Sequence, residues 1–486
     1  MSKNRFRVHG VSNSLWNEDL APVAREDRRW GLWDLCSVWL AAAVGVPAWL
    51  LAGGLVASGM TAGQAAGTLL VGSVLALLPM GLSGAGGITF GVPSTVLLRA
   101  SFGVIGARVP AVLRALVSSG WFGIQCWIGG LAMYAVLRLM MPGIHAEAKA
   151  CCFAVFWVAS VALAVWMPLR GRAVREGSTL LLLAGAVGLL LMIGMGARPG
   201  EALEGALNVV PCDETQMQLF RKILGGSLTA VFGFWSVVVL TASDVTRHMR
   251  TQGVGGRRPW AGSFFQLVGV AAVLAVVIMM PGVLVWNPVD LILRLHQPVL
   301  ATLGLVAVAV GTMGANLSMN VVEPAAVFSG LRPKAISPRM GAVIVGLVGM
   351  VAMPWRLTAD PARYVGGWLL VVSGILGPVA GVMIMDYFVV RRRSLDVEGL
   401  YVRGGQYEYS AGFNVRALRA MAAGMIVAFA GLLFPRLHLL FEYAWFVGFG
   451  VAALVYLALM SGPAERASIS PTPLLIPMQG FEGEGA

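Results

Sequence analysis

Trp121 and Gln125 lie four residues apart in a long apolar run, so a helix there sets an indole plane and an amide on one face. The amide can donate and accept hydrogen bonds, and the indole face can stack on a flat ring. Asn316 and Asn320 repeat the spacing in a second apolar run and offer two more amides on one face. Trp235, in a third run, adds another indole just before a stretch where Ser236, Thr241, Ser243 and Asp244 interrupt the apolar residues. Such a set suits a small planar nitrogen heterocycle with amide-like edges. Stacking on an aromatic side chain is worth about 1–3 kcal/mol per base, and paired amide contacts select the edge presented. The bland alternative is that the amides are interhelical glue, at about 0.6–2 kcal/mol each, and the tryptophans packing or interfacial anchors.

Little else in the chain could do chemistry. His9, His145, His248, His296 and His438 fall in expected loops or at span ends. The acids near spans, Asp34, Asp244, Glu323 and Asp386, read as scattered span-end residues without the spacing of metal ligands. This argues against an enzyme, a cofactor or a metal centre. Cys36 and Cys126 lie within spans, Cys151 and Cys152 are adjacent, and Cys212 stands alone, so no disulfide framework is expected.

The elements that must position these residues are membrane helices. The chain of 486 residues is 58% hydrophobic and 12% charged, with a mean hydropathy of +0.79, a balance that suits lipid rather than water. A hydrocarbon core needs about 20 consecutive apolar residues per helix. The apolar runs predict about twelve spans: 33–58, 62–83, 109–140, 151–169, 178–195, 226–245, 262–286, 298–322, 341–353, 365–390, 414–434 and 439–460. The net charge of +12 is distributed by the positive-inside rule rather than as a nucleic-acid surface. Arginines and lysines at 3–29, 170–175, 247–258, 332–339 and 391–393 would be cytoplasmic and topogenic, which puts both termini in the cytoplasm. The charged segment 1–32 does not read as a cleaved leader, and the tail 461–486, rich in Pro, Ser and Gly, is expected to be disordered.

Many transporters consist of two inverted halves with helices interrupted at the bilayer midplane. Val44-Gly45-Val46-Pro47 is such an interruption in the first span, because proline lacks the backbone donor and glycine leaves the backbone open. The polar stretch after Trp235 is its positional counterpart in the sixth span. The expected organisation is a first repeat over 33–195, a second, inverted repeat over 226–390, and two further helices over 414–460.

Ordered fragments support this along nearly the whole chain. They include Asn17-Glu18-Asp19-Leu20-Ala21-Pro22, Gly91-Val92-Pro93, Gly120-Trp121-Phe122-Gly123-Ile124-Gln125, Gly233-Phe234-Trp235, Asp244-Val245-Thr246-Arg247, Gly377-Pro378 and Asp386-Tyr387. In these the chain resembles the nucleobase-cation-symport-1 family, which includes bacterial hydantoin, allantoin, uracil and cytosine transporters. The resemblance implies an all-α membrane fold of about twelve helices, the LeuT-type five-plus-five inverted repeat with two helices added, and alternating access around a midplane site. It also implies roles. Trp121 and Trp235 match the stacking indoles of the family's hydantoin transporter, and Gln125 and Asn320 match the amides at the ring edges. Phe234, Asn316, Gly45 and Thr241 complete the expected site. Gly45 stands where relatives carry Asn or Gln, and Thr241 where the allantoin and uracil branch carries Asn, so substrate identity does not transfer directly.

The positions matching the family's sodium site are Ala41, Val44, Gly311, Gly314 and Ala315, and both span-eight hydroxyls are missing among them. A hard cation wants several oxygen ligands, so the sequence leans towards proton coupling or facilitated exchange, with Asp34 and Asp244 as candidate carriers. The expected function is import of allantoin, uracil or a related heterocycle, coupled to H+ or Na+, by a monomer in the inner (plasma) membrane. A vitamin-like heterocycle, or a non-transporting receptor on the same scaffold, is the alternative.

Overall fold

A computed structural model describes residues 15–16, 20–31, 34, 45–166, 214–250, 288–293, 297–332 and 335–462. The expected spans 178–195 and 262–286, the first part of span one with Ala41 and Val44, and the tail beyond 462 lie outside the described residues. The described chain is helical apart from two isolated β-bridges. The helices are α1 (Val46–Ala57), α2 (Ala62–Phe90), α3 (Ser94–Phe102), α4 (Arg108–Met140), α5 (Ala148–Trp166) and α6 (Glu214–Thr246). After these come α7 (Pro298–Asn320), α8 (Val322–Leu331), α9 (Pro338–Val351), α10 (Arg363–Val390), α11 (Val415–Leu433) and α12 (Ala444–Met460), with shorter turns between. Seven helices among the described residues are long and apolar enough to cross a membrane, or eight if the bent pair 435–442 and 444–460 is one span. Leu70, Val71, Val74, Leu75 and Leu78 of α2 point outwards, as a lipid-facing stripe should.

The helix ends follow local chemistry. Thr61 caps α2 in a reciprocal box with Gln64, and the helix stops at Gly91, whose φ of 73° few side chains tolerate. Helix α1 begins after Gly45, whose extended backbone (φ −59°, ψ 145°) precedes it, with Pro47 in its first turn; the residues before Gly45 in span one lie outside the described residues. The expected counterpart in span six is not interrupted: α6 is continuous through Thr241 and Ser243. Its hydroxyls are absorbed by carbonyls. Ser236 donates to Phe232 O (2.6 Å), Thr241 to Val238 O (3.4 Å), Ser243 to Ser83 O (2.6 Å) and Thr246 to Gly84 O (2.8 Å). The last two bonds zip α6 to α2. The final expected span, 439–460, is instead bent by 85° at Tyr443.

Close backbone crossings bind the other helices. A Cβ at Gly123 of α4 would meet the Gly349 carbonyl of α9, so the two backbones touch. Trp157 Nε1 of α5 donates to Gly346 O of the same α9 (3.0 Å). Helices α4, α5 and α9 therefore form one tight group.

One end of the bundle collects the arginines. Arg391 Nε donates to Asp386 Oδ2 (2.8 Å), which also accepts from Ser101 Oγ (3.0 Å), while Tyr456 donates to Oδ1 (2.7 Å). Arg391 further donates to the Ala100 carbonyl (2.7 Å) and to Tyr409. Burial pushes the Tyr401, Tyr407 and Tyr409 phenols above their usual range despite nearby arginines, so they stay neutral donors. Arg28 reaches the Ile88 carbonyl (2.7 Å) at the end of α2, and Trp30 stacks on His248 (centroids 5.0 Å apart). Arg28 and Arg391, expected to be topogenic only, are thus also buried structural residues. The acids are not scattered as expected either: Asp244 and Glu323 converge on Arg114. Asp34 accepts the Gly31 N–H (2.9 Å).

Breaking a buried ion pair by removing one partner costs about 3–5 kcal/mol. Asp386→Ala is therefore expected to lower the thermal unfolding midpoint sharply, whereas Arg363→Ala, which removes the exposed Arg363–Asp360 pair, should leave it unchanged.

Candidate substrate site

Helices α4 and α6 bring the expected aromatic residues together, and α10 adds two more. Trp121 of α4 is buried, and three rings meet it edge to face: Phe234 of α6 at 5.9 Å, Trp368 of α10 at 5.7 Å and Tyr364 of α10 at 6.2 Å between centroids. Edge-to-face contacts of this kind are individually modest but fix ring orientation. Trp235 packs on Phe234 at 4.9 Å and donates its indole N–H to Ser73 Oγ of α2 at 3.1 Å. Its polar edge is thereby spent on the scaffold, leaving the ring faces to pack or stack.

Tyr364 and Trp368 are additions that the sequence reading missed. They stand on the first turn of α10, which is π-helical over Arg363–Leu369. Such wide turns recur at functional sites. The Tyr364 hydroxyl donates to Pro47 O (2.7 Å), tying α10 to the start of α1 just after Gly45. Trp368 lies over Gly120, where a Cβ would collide with its ring, so glycine one residue before Trp121 is what admits the second indole. The available signal was two aromatics four residues apart around Gly366-Gly367.

The amides divide into two kinds. Asn316 is fully buried, and its Nδ2 donates to the Phe122 carbonyl of α4 (3.1 Å). That bond settles which side of the amide is oxygen. The Asn316 Oδ1 then accepts from Asn320 Nδ2 (2.9 Å), which leaves the Asn320 Oδ1 as an acceptor held in place by a relay running from α4 through α7. Gln125, one turn beyond Trp121, makes no side-chain hydrogen bond among the described residues and keeps a little exposure. Asn316 thus serves the scaffold, while Gln125 and the Asn320 oxygen keep hydrogen-bonding capacity in reserve. Thr241 is half-buried and turned back on its own helix.

Of the expected cation positions, Ala41 and Val44 lie outside the described residues. Gly311 and Ala315 are buried on α7 and Gly314 is half-buried. They sit within a continuous helix, whose carbonyls are engaged by their own backbone. Thr312, beside Gly311, carries a buried hydroxyl with no hydrogen-bond partner among the described residues.

Removing the relay tests its role in the scaffold. Asn316→Ala leaves the Phe122 carbonyl and Asn320 without this partner, and is expected to cost about 1–3 kcal/mol, read as a lower thermal midpoint in detergent.

This geometry has relatives. The profile of a family described as a permease for cytosine/purines, uracil, thiamine and allantoin matches residues 22–448. The chain is 30% identical to an allantoin permease of Bacillus subtilis, over 92% of this chain and 94% of that one. It is 32% identical to a purine-uracil permease of Arabidopsis thaliana, over 96% and 82% respectively. Among solved structures, the nucleobase-cation-symport-1 transporter Mhp1, closed with bromovinylhydantoin bound, superimposes with a TM-score of 0.75 at 25% identity, covering 94% of this chain and 99% of Mhp1. Its inward-facing form gives 0.76. The described helices accordingly belong to the all-α, LeuT-type architecture expected from the sequence. With matches spanning nearly its whole length, the chain belongs to the nucleobase-cation-symport-1 permeases, the family of cytosine/purine, uracil, thiamine and allantoin transporters.

Proposed function

We propose that this permease carries allantoin, uracil or a closely similar lactam heterocycle into the cell. The observation that supports it most is the pairing of a caged indole, Trp121, with an unspent amide, Gln125, one turn away. A ring of alternating N–H and C=O groups can stack on the indole while Gln125 and the Asn320 oxygen meet its edge. Trp235 and Phe234 form the opposing wall, and Gly45 and Thr241 shape the ends. Asn316 acts as a positioning residue through Asn320. Gly45 contributes no side chain at the start of α1, so a ring bound beside it would meet bare backbone rather than the amide of an Asn or Gln.

Proton coupling is the reading we adopt for the ion. Gly314 and Ala315 supply no hydroxyls, and a hard monovalent cation would have to rely on helical carbonyls already engaged and on Thr312. The chain is read as a plasma-membrane monomer with its arginine-rich end and both termini in the cytoplasm, and with residues 33–195 and 226–390 as the inverted repeats before 414–460.

Tryptophan fluorescence quenching of the purified protein by uracil, allantoin and hydantoins, with and without sodium, is the direct test. Trp121→Ala should abolish saturable quenching. Gln125→Ala should weaken binding about tenfold or more, a loss of about 1.4 kcal/mol. An affinity unchanged in Gln125→Ala would remove that residue from the site, and sodium-enhanced binding would overturn the proton reading.

A further inference from the structure

The acids that meet Arg114 lie outside the substrate site and have no part in it. Arg114 stands in the first turns of α4 and is 3% exposed; its Nη1 lies 2.9 Å from Glu323 Oε2 and 3.4 Å from Asp244 Oδ2. Asp244 ends α6 and Glu323 opens α8, so one nitrogen joins three helices. The two carboxylates are not equivalent. Asp244 Oδ1 also accepts the Ser94 N–H at the start of α3 (2.9 Å), where unpaired helix N–H groups favour an anion. Among the described residues the charges that bear on the pair are Arg114 from α4 and Arg247, in the turn just past the end of α6. Glu323 shows no such backbone donor among the described residues, and it shares the single Arg114 Nη1 with Asp244, so the two carboxylates are held side by side on one cation. Two carboxylates can bond each other only when one of them carries a proton.

We propose that Glu323 and Asp244 form a proton site at the arginine-rich end of the permease, Glu323 donating to Asp244, and that loss of this proton accompanies opening of that end. The site rests on the transporter reading and orientation given above. With the proton in place, α6 is held to α8 by the carboxyl–carboxylate bond and to α4 by Arg114. When the Glu323 O–H bond breaks and the proton passes to water, two anions face each other and repel. They can then part without orphaning a charge, because Glu323 keeps Arg114 and Asp244 keeps the Ser94 N–H. Separating a buried pair is costly chiefly when a charge is left without a partner, and here the sequence supplies one for each side.

The test uses the full chain in vesicles with the pH of each side set independently, following efflux of preloaded labelled uracil or allantoin. In the wild type, acidifying the side that bears Arg114 is expected to slow efflux several-fold. Glu323→Gln, whose amide donates to Asp244 at every pH, should give slow efflux with no response to that pH, while ligand affinity by fluorescence quenching stays unchanged. Glu323→Asp keeps a titrating group and should keep a pH response, which preserves the test if the glutamine variant fails to fold. A pH response that survives intact in Glu323→Gln, or one absent from the wild type, overturns the proposal. Hydrogen exchange of α3 and α8 amides, corrected for intrinsic rates, reads the same site without any substrate. Acid-induced protection in the wild type, lost in Glu323→Gln, would support the proton site even if neither uracil nor allantoin proved to be carried.

Discussion

Hydrocarbon offers no hydrogen-bond partner, so every polar group that enters it must find one inside the protein. This constraint sorts the polar residues of the permease. Ser243, Thr246 and Asn316 spend their capacity on backbone carbonyls of other helices and thereby decide which helices stay together. Among the described residues Gln125 and the oxygen of Asn320 bond no partner, and a group left unspent in such a setting invites a ligand that satisfies it. The proposed substrate site draws on groups that this sorting leaves over.

The same bonds partition the helices mechanically. Hydroxyl bonds zip α2 to α6, and glycine contacts with the Trp157 bond lock α4, α5 and α9, to which Asn316 adds α7. Between these two packed groups the contacts are of a different kind: rings meeting edge to face around Trp121, and the ionic junction at Arg114. Rings can slide and ion pairs can exchange partners, whereas interlocked backbones cannot. Movement between groups is therefore easier than movement within them.

Much of this was legible in the sequence because lipid enforces simple patterns. The positions of the described helices followed largely from apolar runs, and the start of α1 after Gly45 from a glycine and a proline that no continuous helix would favour. The residues Trp121, Gln125 and Asn320 stood out because polar side chains are rare inside spans. The interruption expected in span six failed for a physical reason: serine and threonine can bond carbonyls of their own helix or the next, so hydroxyls alone do not unwind a helix. Tyr364 and Trp368 were missed because the π turn that carries them leaves no trace in hydropathy. The convergence of Arg114, Asp244 and Glu323 was invisible because acids near span ends read as scattered until the helices are assembled.

Helix α10 is π-helical at both ends, over 363–369 and 386–390, and regular between them. Its middle is clamped, with Gly377 and Gly381 in backbone contact with Trp445 and Phe449 of α12. A wide turn holds one residue more than an α turn, and relaxing it shifts everything beyond by a fraction of a turn without melting the helix. The helix is thus a rod gripped at its centre with a compliant joint at each end: one joint bears the rings over Trp121, the other bears Asp386 beside Arg391. A strain applied at either joint can be absorbed locally as a change of winding, so the two ends of the permease need not move in step through this helix.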